Sequence, residues 1–370
     1  MEGQDAPTTE RVCAGTGRAH MPREEPTMKL GATVGVRDDP DAFAAHARRL
    51  EEAGVAYLWT GEAYTADAVS TMGFLAAVTR TAQIGSSILP LYSRTPTLLA
   101  MTAVGIDKLS KGRCILGLGA SGPQVIEGFH GVPYDAPLAR TREIIDICRS
   151  VWRRDRLVHE GANYRVPLPE GEGTGLGKPL KIMDHPVRER IPIYVASLGP
   201  KNVEMTAELA EGWLPLHYWP ERAHELWGAS LEAGAARRSA DLPPLQIVAG
   251  GSLAIGSDVE HLRDRDRPML ALYYGGMGAR GKNFYNDVLK RYGYEEEAEQ
   301  IQEAYLGGDR KRAAALVPAE LVAGMSLVGD AGYVRDRIEA YRDSGVTVLN
   351  VQPVGPNRMQ DVETVAGWLA

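Results

Sequence analysis

Gly112-Arg113-Cys114-Ile115-Leu116-Gly117-Leu118-Gly119-Ala120-Ser121-Gly122-Pro123 is the stretch that decides how this chain folds. An apolar run enters a glycine-rich loop, and Gly117, Gly119 and Gly122 satisfy the G-x-G-x-x-G pattern of dinucleotide sites. That pattern has its meaning only where the loop opens a helix at once, inside the first strand–helix–strand unit. Here Pro123 follows directly, and the next helical periodicity begins near Leu138. The strand pattern before the loop is the fourth of the chain, and no acidic residue closes the next strand. The stretch therefore reads as a strand end where backbone must pass close to something.

The same alternation continues on both sides. Upstream, strand patterns at Leu30–Val34, Val55–Trp59 and Gln83–Leu89 alternate with helix patterns at Asp41–Ala53, Val69–Thr79 and Thr95–Leu109. Downstream, the strand Arg113–Leu118 and the helix Leu138–Trp152 are followed by a Gly- and Pro-rich insertion at 153–190. Strands resume at Ile191–Ser197, Gly212–His217, Leu245–Ile255 and Val346–Val351, with helices at Lys201–Glu211, Glu221–Arg238, Val334–Ser344 and Val362–Leu369. A second insertion, rich in Gly, Tyr and charge, covers 276–325. Eight such units predict an α/β chain folded as a (β/α)8 TIM barrel, one domain over 28–370 with two insertions. A doubly wound open sheet is the competing arrangement. Residues 1–27 are polar and aperiodic and read as a flexible tail before Met28.

Composition narrows the function. The 370 residues are 44% hydrophobic and 24% charged, ordinary for a globular protein. No apolar run reaches the length of a membrane span, and the N-terminus has no apolar signal region, so no membrane partner is expected. The net charge of −7 and the lack of a basic patch argue against nucleic acid. Three cysteines, Cys13, Cys114 and Cys148, fit a reducing, cytoplasmic setting.

The strand ends of a barrel carry its chemistry. Here they read Thr33, Thr60-Gly61-Glu62, Ser86-Ser87-Ile88, Gly119-Ala120-Ser121, Ser197-Leu198-Gly199, Leu216-His217, Gly250-Gly251 and Gln352. No H-x-H occurs and only His217 stands at a strand end, so no metal is expected. No strand-end lysine offers a Schiff base, and only Glu62 qualifies as a carboxylate, which excludes a glycosidase pair. Small residues at several ends suit a large flat ligand across the barrel mouth. Ser197-Leu198-Gly199-Pro200-Lys201-Asn202 leads into a helix, whose N-terminal N–H groups favour a phosphate.

At these residues the chain resembles a family. Thr60-Gly61-Glu62-Ala63-Tyr64, Ile84-Gly85-Ser86-Ser87-Ile88-Leu89, Ser93-Arg94-Thr95-Pro96, Gly117–Gly128 and Ile193-Tyr194-Val195-Ala196-Ser197-Leu198-Gly199-Pro200 are similar to the bacterial-luciferase-like superfamily. Within it they most resemble the deazaflavin (coenzyme F420)-dependent oxidoreductases of actinobacteria. The run Gly275–Asn286 is similar to one large branch. The resemblance implies a non-proline cis peptide at Ser87–Ile88, a bulge behind the central deazaflavin ring. It implies that Ala120, Ser121 and Gly122 face the ring or its ribityl chain, and that Ser197, Leu198 and Gly199 hold the phosphate. Arg94 and Lys201 are candidates for the anionic tail.

One position departs from the family. Better-known relatives carry an acidic residue followed by histidine after the second strand, where this chain has Gly61 and Glu62. Glu62 is the candidate proton carrier, its carboxyl raised in pKa by burial beside an apolar ring. Tyr64 and His217 are candidate substrate contacts, and Asp67 is a further polar group of the same stretch. The expected function is an F420-dependent oxidoreductase that moves a hydride between the deazaflavin and a small organic substrate, with the second insertion as a lid. The alternatives are an FMN-dependent monooxygenase served by a separate reductase, and a flavin- or deazaflavin-binding protein without turnover. The resemblance also implies a homodimer.

Overall fold

Proline stands at the first position of five of the eight helices that surround the barrel, at Pro40, Pro96, Pro137, Pro200 and Pro220. Its fixed φ and missing N–H suit a helix start and nothing later in a helix. In the computed structural model, which describes residues 28–36, 38–278 and 280–370, these starts set the order of the fold. The expected tail at 1–27 lies outside the described residues. Strands β1 (Lys29–Thr33), β2 (Tyr57–Thr60), β3 (Gln83–Ser86), β4 (Cys114–Gly119), β5 (Ile193–Ala196), β6 (Gly212–Trp213), β7 (Gln246–Ala249) and β8 (Val348–Pro353) alternate with helices α1 (Pro40–Glu52), α2 (Ala68–Val78), α3 (Pro96–Leu109), α4 (Pro137–Trp152), α5 (Pro200–Leu209), α6 (Pro220–Ala235), α7 (Ala331–Asp343) and α8 (Arg358–Leu369).

Every pairing around the ring is parallel, and β8 pairs with β1 through Lys29↔Val348 to Ala32↔Val351, which closes the barrel. The doubly wound alternative is thereby excluded. Caps place the helix starts: Asp39 accepts from the N–H groups of Asp41 and Ala42 at 3.0 Å each, and Asp67 accepts from Ser70 N–H at 2.9 Å. Asp67 is thus an architectural residue.

Two main cores divide the interior, with a small third cluster of Ala254, Val259 and Val328 beside them. Between strands and helices lies a continuous cluster that reaches from Met28 to Val365 and includes Ile301, Leu321 and Met325 of the second insertion. Inside the barrel sits a smaller plug of Trp59, Ile115, Tyr194, Leu214, Val248 and Val348. Glycines make room for its rings. A Cβ on Gly85 would lie 2.1 Å from the Trp59 ring, and one on Gly212 would lie 2.4 Å from that of Tyr194.

The structure differs from the expected elements at four places, each with a cause. The third strand breaks at the cis Ser87–Ile88 peptide and resumes as Leu89–Pro90, paired with β4. The glycine loop does open a helix at once, the short Pro123–Gly128, with Pro123 as a helix-starting residue rather than a breaker. β6 ends at Trp213, two residues before Pro215. The seventh strand splits at Gly250-Gly251, where the backbone presses against the carbonyl oxygens of Asn350 and Met325. Its second half, Ser252–Ile255, pairs with the end of β8 and with Leu327–Gly329. The second insertion is almost wholly helical. A π-helical turn, Leu272–Gly276, leads into it, and it contains the helices Phe284–Arg291, Glu295–Leu306, Arg310–Ala315 and Ala319–Met325.

Candidate active site

A cavity of about 910 Å³ opens at the C-terminal ends of the strands. That is the upper end of the range for a small-molecule site and the position at which barrels act. Glu62, Ser87, Ile88, Ala120, Ser121, Ser197, Leu198, Gly199, Lys201 and His217 all line it, ten of the thirteen residues singled out from the sequence. The other three, Arg94, Tyr64 and Gly122, do not.

The wall at β2–β4 is made by backbone crowding. The cis Ser87–Ile88 peptide turns the chain toward two glycines. A Cβ on Gly61 would lie 2.1 Å from the Ser87 carbonyl oxygen, and one on Gly117 would lie 1.6 Å from that of Ser86. Ser86 Oγ donates to Gly117 O and accepts from Gly117 N–H, both at 2.8 Å. Gly119 gives way to the Ile88 side chain, which a Cβ at that position would meet at 2.9 Å. Two glycines of the fingerprint therefore admit the bulge of β3, and Gly119 also lines the cavity. A Cβ on Gly122 would meet, among the described residues, only Met277 O, at 3.6 Å.

Glu62 and Arg94 form one unit. Arg94 Nη1 is ion-paired with Glu62 Oε1, and Nη2 donates to Oε2 at 3.1 Å. Oε2 also accepts from Ala68 N–H, at the start of α2, at 2.8 Å. The carboxylate thus faces a guanidinium and a helix N-terminus, rather than the apolar surroundings expected for it. Arg94 is spoken for by Glu62 and is not directed to an anionic tail. Tyr64 is 55% exposed and packs on Phe129, with ring centroids 6.2 Å apart.

Opposite, the loop from β5 into α5 is held from behind. Trp213 Nε1–H donates to Ser197 O at 2.9 Å, and Trp227 Nε1–H donates to Leu198 O at 3.0 Å. In a trans peptide the N–H points away from the C=O. With those carbonyls fixed on the indoles, the N–H groups of Leu198 and Gly199 turn the other way. The Ser197 hydroxyl is bound to Thr206 Oγ1 at 2.9 Å, so Ser197 offers backbone only. Gly199 begins α5 without a side-chain cap, and Asn202 Oδ1 is buried with no partner among the described residues. Turning that amide end for end presents its NH2 group instead. Lys201 stands at the rim, paired with Glu204 at 3.0 Å. This set of donors fits a phosphate.

The sequence named no residue for the rest of the lining, although it assigned the second insertion as a lid. Met277, Phe284 and Tyr285 come from that insertion, Met269, Leu270 and Tyr273 from the segment just before it, and Asp266 and Ser252 from the β7 side. Asp266 accepts from Ser252 Oγ at 2.8 Å, and burial raises its pKa. His217 is packed among three tyrosine rings, and burial holds its pKa down at about 3. The residual exposure of its ring is to the cavity. Beside the lid expected of the insertion, the Tyr273-Tyr274 pair just before it was the one further signal for this roof in the sequence.

Comparison with known proteins agrees with this architecture. Residues 14–348 match the family model described as luciferase-like monooxygenase. The chain is 40% identical over 344 residues to the "Putative coenzyme F420-dependent oxidoreductase Rv3520c" of Mycobacterium tuberculosis, covering 91% of this chain and 99% of that protein. It is 27% identical over 328 residues to the 5,10-methylenetetrahydromethanopterin reductase of Archaeoglobus fulgidus, covering 86% of this chain and 92% of that one. Among solved structures, the coenzyme F420 dependent tetrahydromethanopterin reductase of Methanopyrus kandleri superposes with a TM-score of 0.76 at 24% identity, over 92% of this chain and 97% of that one. The closed eight-stranded barrel, the match over most of the chain and the relative at 40% identity lead to one conclusion: this chain belongs to the luciferase-like monooxygenase family.

Proposed function

We propose that this protein is a coenzyme F420-dependent oxidoreductase that transfers a hydride between the deazaflavin and a small organic substrate. The observation that carries the reading is the cavity itself. It joins a flat, small-residue wall at Ile88, Gly119 and Ala120 to a phosphate-fitting loop at Leu198–Asn202. The name of the relative at 40% identity supports F420 over FMN. When bound, the deazaflavin supplies a carbon that gives or takes a hydride.

The protein's own groups position the reactants, exclude water and handle a proton. Ser87, Ile88, Ala120 and Ser121 would lie along the ring system, and the N–H groups of Leu198 and Gly199 would take the phosphate, with Asn202 and Lys201 beside them. Arg94 acts through Glu62. Glu62 is assigned the proton that accompanies the hydride. It lines the cavity next to the Ser87–Ile88 bulge, and Arg94 holds its carboxyl group in place there. The insertion supplies the roof that excludes water.

A homodimer belongs to this reading. Leu98, Met101 and Leu109 lie along one face of α3 and are 45%, 55% and 65% exposed, an apolar stripe that a second copy would cover. A cytoplasmic setting fits the free, buried Cys114 and Cys148. Among the described residues no helix is long and apolar enough to cross a membrane.

Titration of the purified protein with F420 and with FMN, followed by cofactor fluorescence, tests the proposal. Saturable binding of F420 together with substrate-dependent bleaching or recovery of its absorbance is expected. Binding of FMN alone would move the protein to the monooxygenases of the family. F420 binding without a turnover signal across a metabolite panel would make it a carrier.

A further inference from the structure

His217 sits in an unusual setting for a histidine at a cavity wall. It belongs to the loop after β6, Leu214-Pro215-Leu216-His217-Tyr218, with φ of +56°, the left-handed region that costs a non-glycine residue. A hydroxyl from the second insertion fixes it there. Tyr292 Oη donates to His217 O at 3.0 Å and accepts from Trp219 N–H at 3.1 Å. The imidazole is thereby held among Tyr273, Tyr274 and Tyr285, with ring centroids at 5.2, 4.7 and 5.8 Å. Its Nδ1 is enclosed and has no partner among the described residues. The nitrogen left to meet a ligand is Nε2.

Burial keeps this ring neutral, with a pKa down at about 3, so one proton is shared between two nitrogens. An enclosed N–H with no acceptor is costly, which favours the tautomer with the proton on Nε2. The ring then presents an uncharged donor. The same cavity is lined by Met269, Leu270, Met277, Phe284, Val322 and Met325. Charge complementarity for an anion is missing. Lys201 is the one lysine or arginine among the described residues that line the cavity, and it stands at the phosphate-fitting loop, paired with Glu204. Neither carboxyl group of the wall, Glu62 (already paired with Arg94) or Asp266, offers a counter-charge to a carboxylate.

Resting on the oxidoreductase reading for the chemistry that follows binding, we infer that His217 is the specificity-determining residue for an uncharged, mainly apolar substrate, whose single carbonyl or hydroxyl oxygen accepts from Nε2–H. An anionic substrate would leave its charge unpaired among thioethers and rings. A hydrocarbon would leave the Nε2 donor unpaired.

Four molecules of one carbon skeleton separate these cases: carvone (carbonyl), perillyl alcohol (hydroxyl), limonene (no oxygen) and perillic acid (carboxylate). Their dissociation constants are measured calorimetrically on the full chain with saturating oxidised F420. Carvone and perillyl alcohol are expected to bind about five- to tenfold more tightly than limonene and perillate. In His217→Phe the advantage of carvone over limonene falls below about twofold, and in His217→Asn, which keeps a neutral donor and tolerates positive φ, most of it returns. Perillate binding as tightly as carvone would overturn the inference. So would equal binding of limonene and carvone, or no carvone binding at millimolar concentration. The wild-type series stands even where a variant fails to fold. Cofactor fluorescence on the same samples reads the F420 site separately. Loss of F420 binding with the ligand ranking intact, measured without cofactor, would count against the oxidoreductase reading and not against this one.

Discussion

Arg94 and Glu62, separated by 32 residues in sequence, meet as a two-point ion pair in the wall of the cavity, with side chains 15% and 8% exposed. The third partner, Ala68 N–H, fixes the carboxylate from the α2 side. A charge this enclosed depends on its partner. Arg94→Ala leaves Glu62 uncompensated and is expected to cost about 2–3 kcal/mol of stability, less than for a fully buried pair because the cavity admits water. Glu62→Gln keeps the shape and a hydrogen bond to Arg94, and costs about 1 kcal/mol. The double variant is expected to be less destabilised than the sum of the two, by about 1 kcal/mol or more, in urea unfolding. Strict additivity would show that the pair contributes nothing.

Glu62→Gln also tests the chemistry. The expectation is a hydride-transfer step slowed by about 100-fold or more, with F420 affinity changed less than about twofold. Stopped-flow absorbance of the deazaflavin measures the first, and fluorescence titration the second. An unchanged rate would remove Glu62 from the proton path and leave Asp266, the other carboxyl group of the cavity and one raised in pKa by burial, as the group to examine.

The glycine loop makes a paired prediction. Gly117→Ala places a Cβ 1.6 Å from the Ser86 carbonyl oxygen, a backbone atom that cannot step aside without parting β3 from β4. A loss of about 3 kcal/mol or more is expected, seen as insoluble protein or a much lower urea midpoint. Gly122→Ala meets nothing closer than 3.6 Å, and its φ of −116° is open to any residue. It is expected to stay within about 0.5 kcal/mol of the wild type. Equal damage at both positions would mean that the loop is shaped by its ligand and not by β3.

These positions also show what the sequence could reveal. The barrel was legible because each unit is punctuated locally: proline or a capping Asp or Thr starts a helix, and a glycine such as Gly54, at φ +94°, ends it. That backbone comes close at Gly117 was legible too. Which backbone was not, since Ser86 reaches Gly117 only through the pairing of β3 with β4. Arg94 illustrates the same limit. A charged residue near a strand end is visible, but its partner is fixed by the approach of two loops. The roof was hardest to foresee. Tyr273, Phe284 and Tyr285 carry no periodic signal, and they meet the cavity only because the insertion and the segment before it fold back over the barrel mouth.

The loop into α5 offers a test of indirect positioning. Trp213→Phe keeps an aromatic ring but removes the N–H that holds Ser197 O. The carbonyl is then buried and unpaired, which is expected to cost about 1–2 kcal/mol of stability. The Leu198 N–H also loses its fixed direction, so F420 affinity should fall about three- to tenfold at all salt concentrations. Lys201→Ala acts differently. Its side chain is 80% exposed and already paired with Glu204, so a loss of about two- to threefold, vanishing in high salt, is expected. A fluorescence titration of both variants across a salt series separates fixed backbone donors from a surface charge.

His217 makes stability depend on pH in a defined direction. Its pKa lies at about 3 in the folded protein, against 6.5 for an unhindered imidazole, because burial disfavours the cation. Between these values the unfolded chain binds a proton that the folded protein refuses. Stability therefore rises with pH through this window. The contribution of His217 is fully present above pH 6.5 and is lost as the pH falls toward 3, at up to about 1.4 kcal/mol per pH unit. His217→Phe removes the group from both states, so its stability should fall less steeply than that of the wild type as the pH is lowered. His217→Asn should show the same flattening, which separates titration from ring packing. Urea midpoints measured in steps from neutral pH to the acid limit of two-state unfolding provide the comparison. The other histidines are common to all three proteins, and their effects cancel in the difference. Parallel curves for the three would show that His217 titrates as an exposed imidazole, and would remove the neutral donor on which its assigned role at the cavity depends.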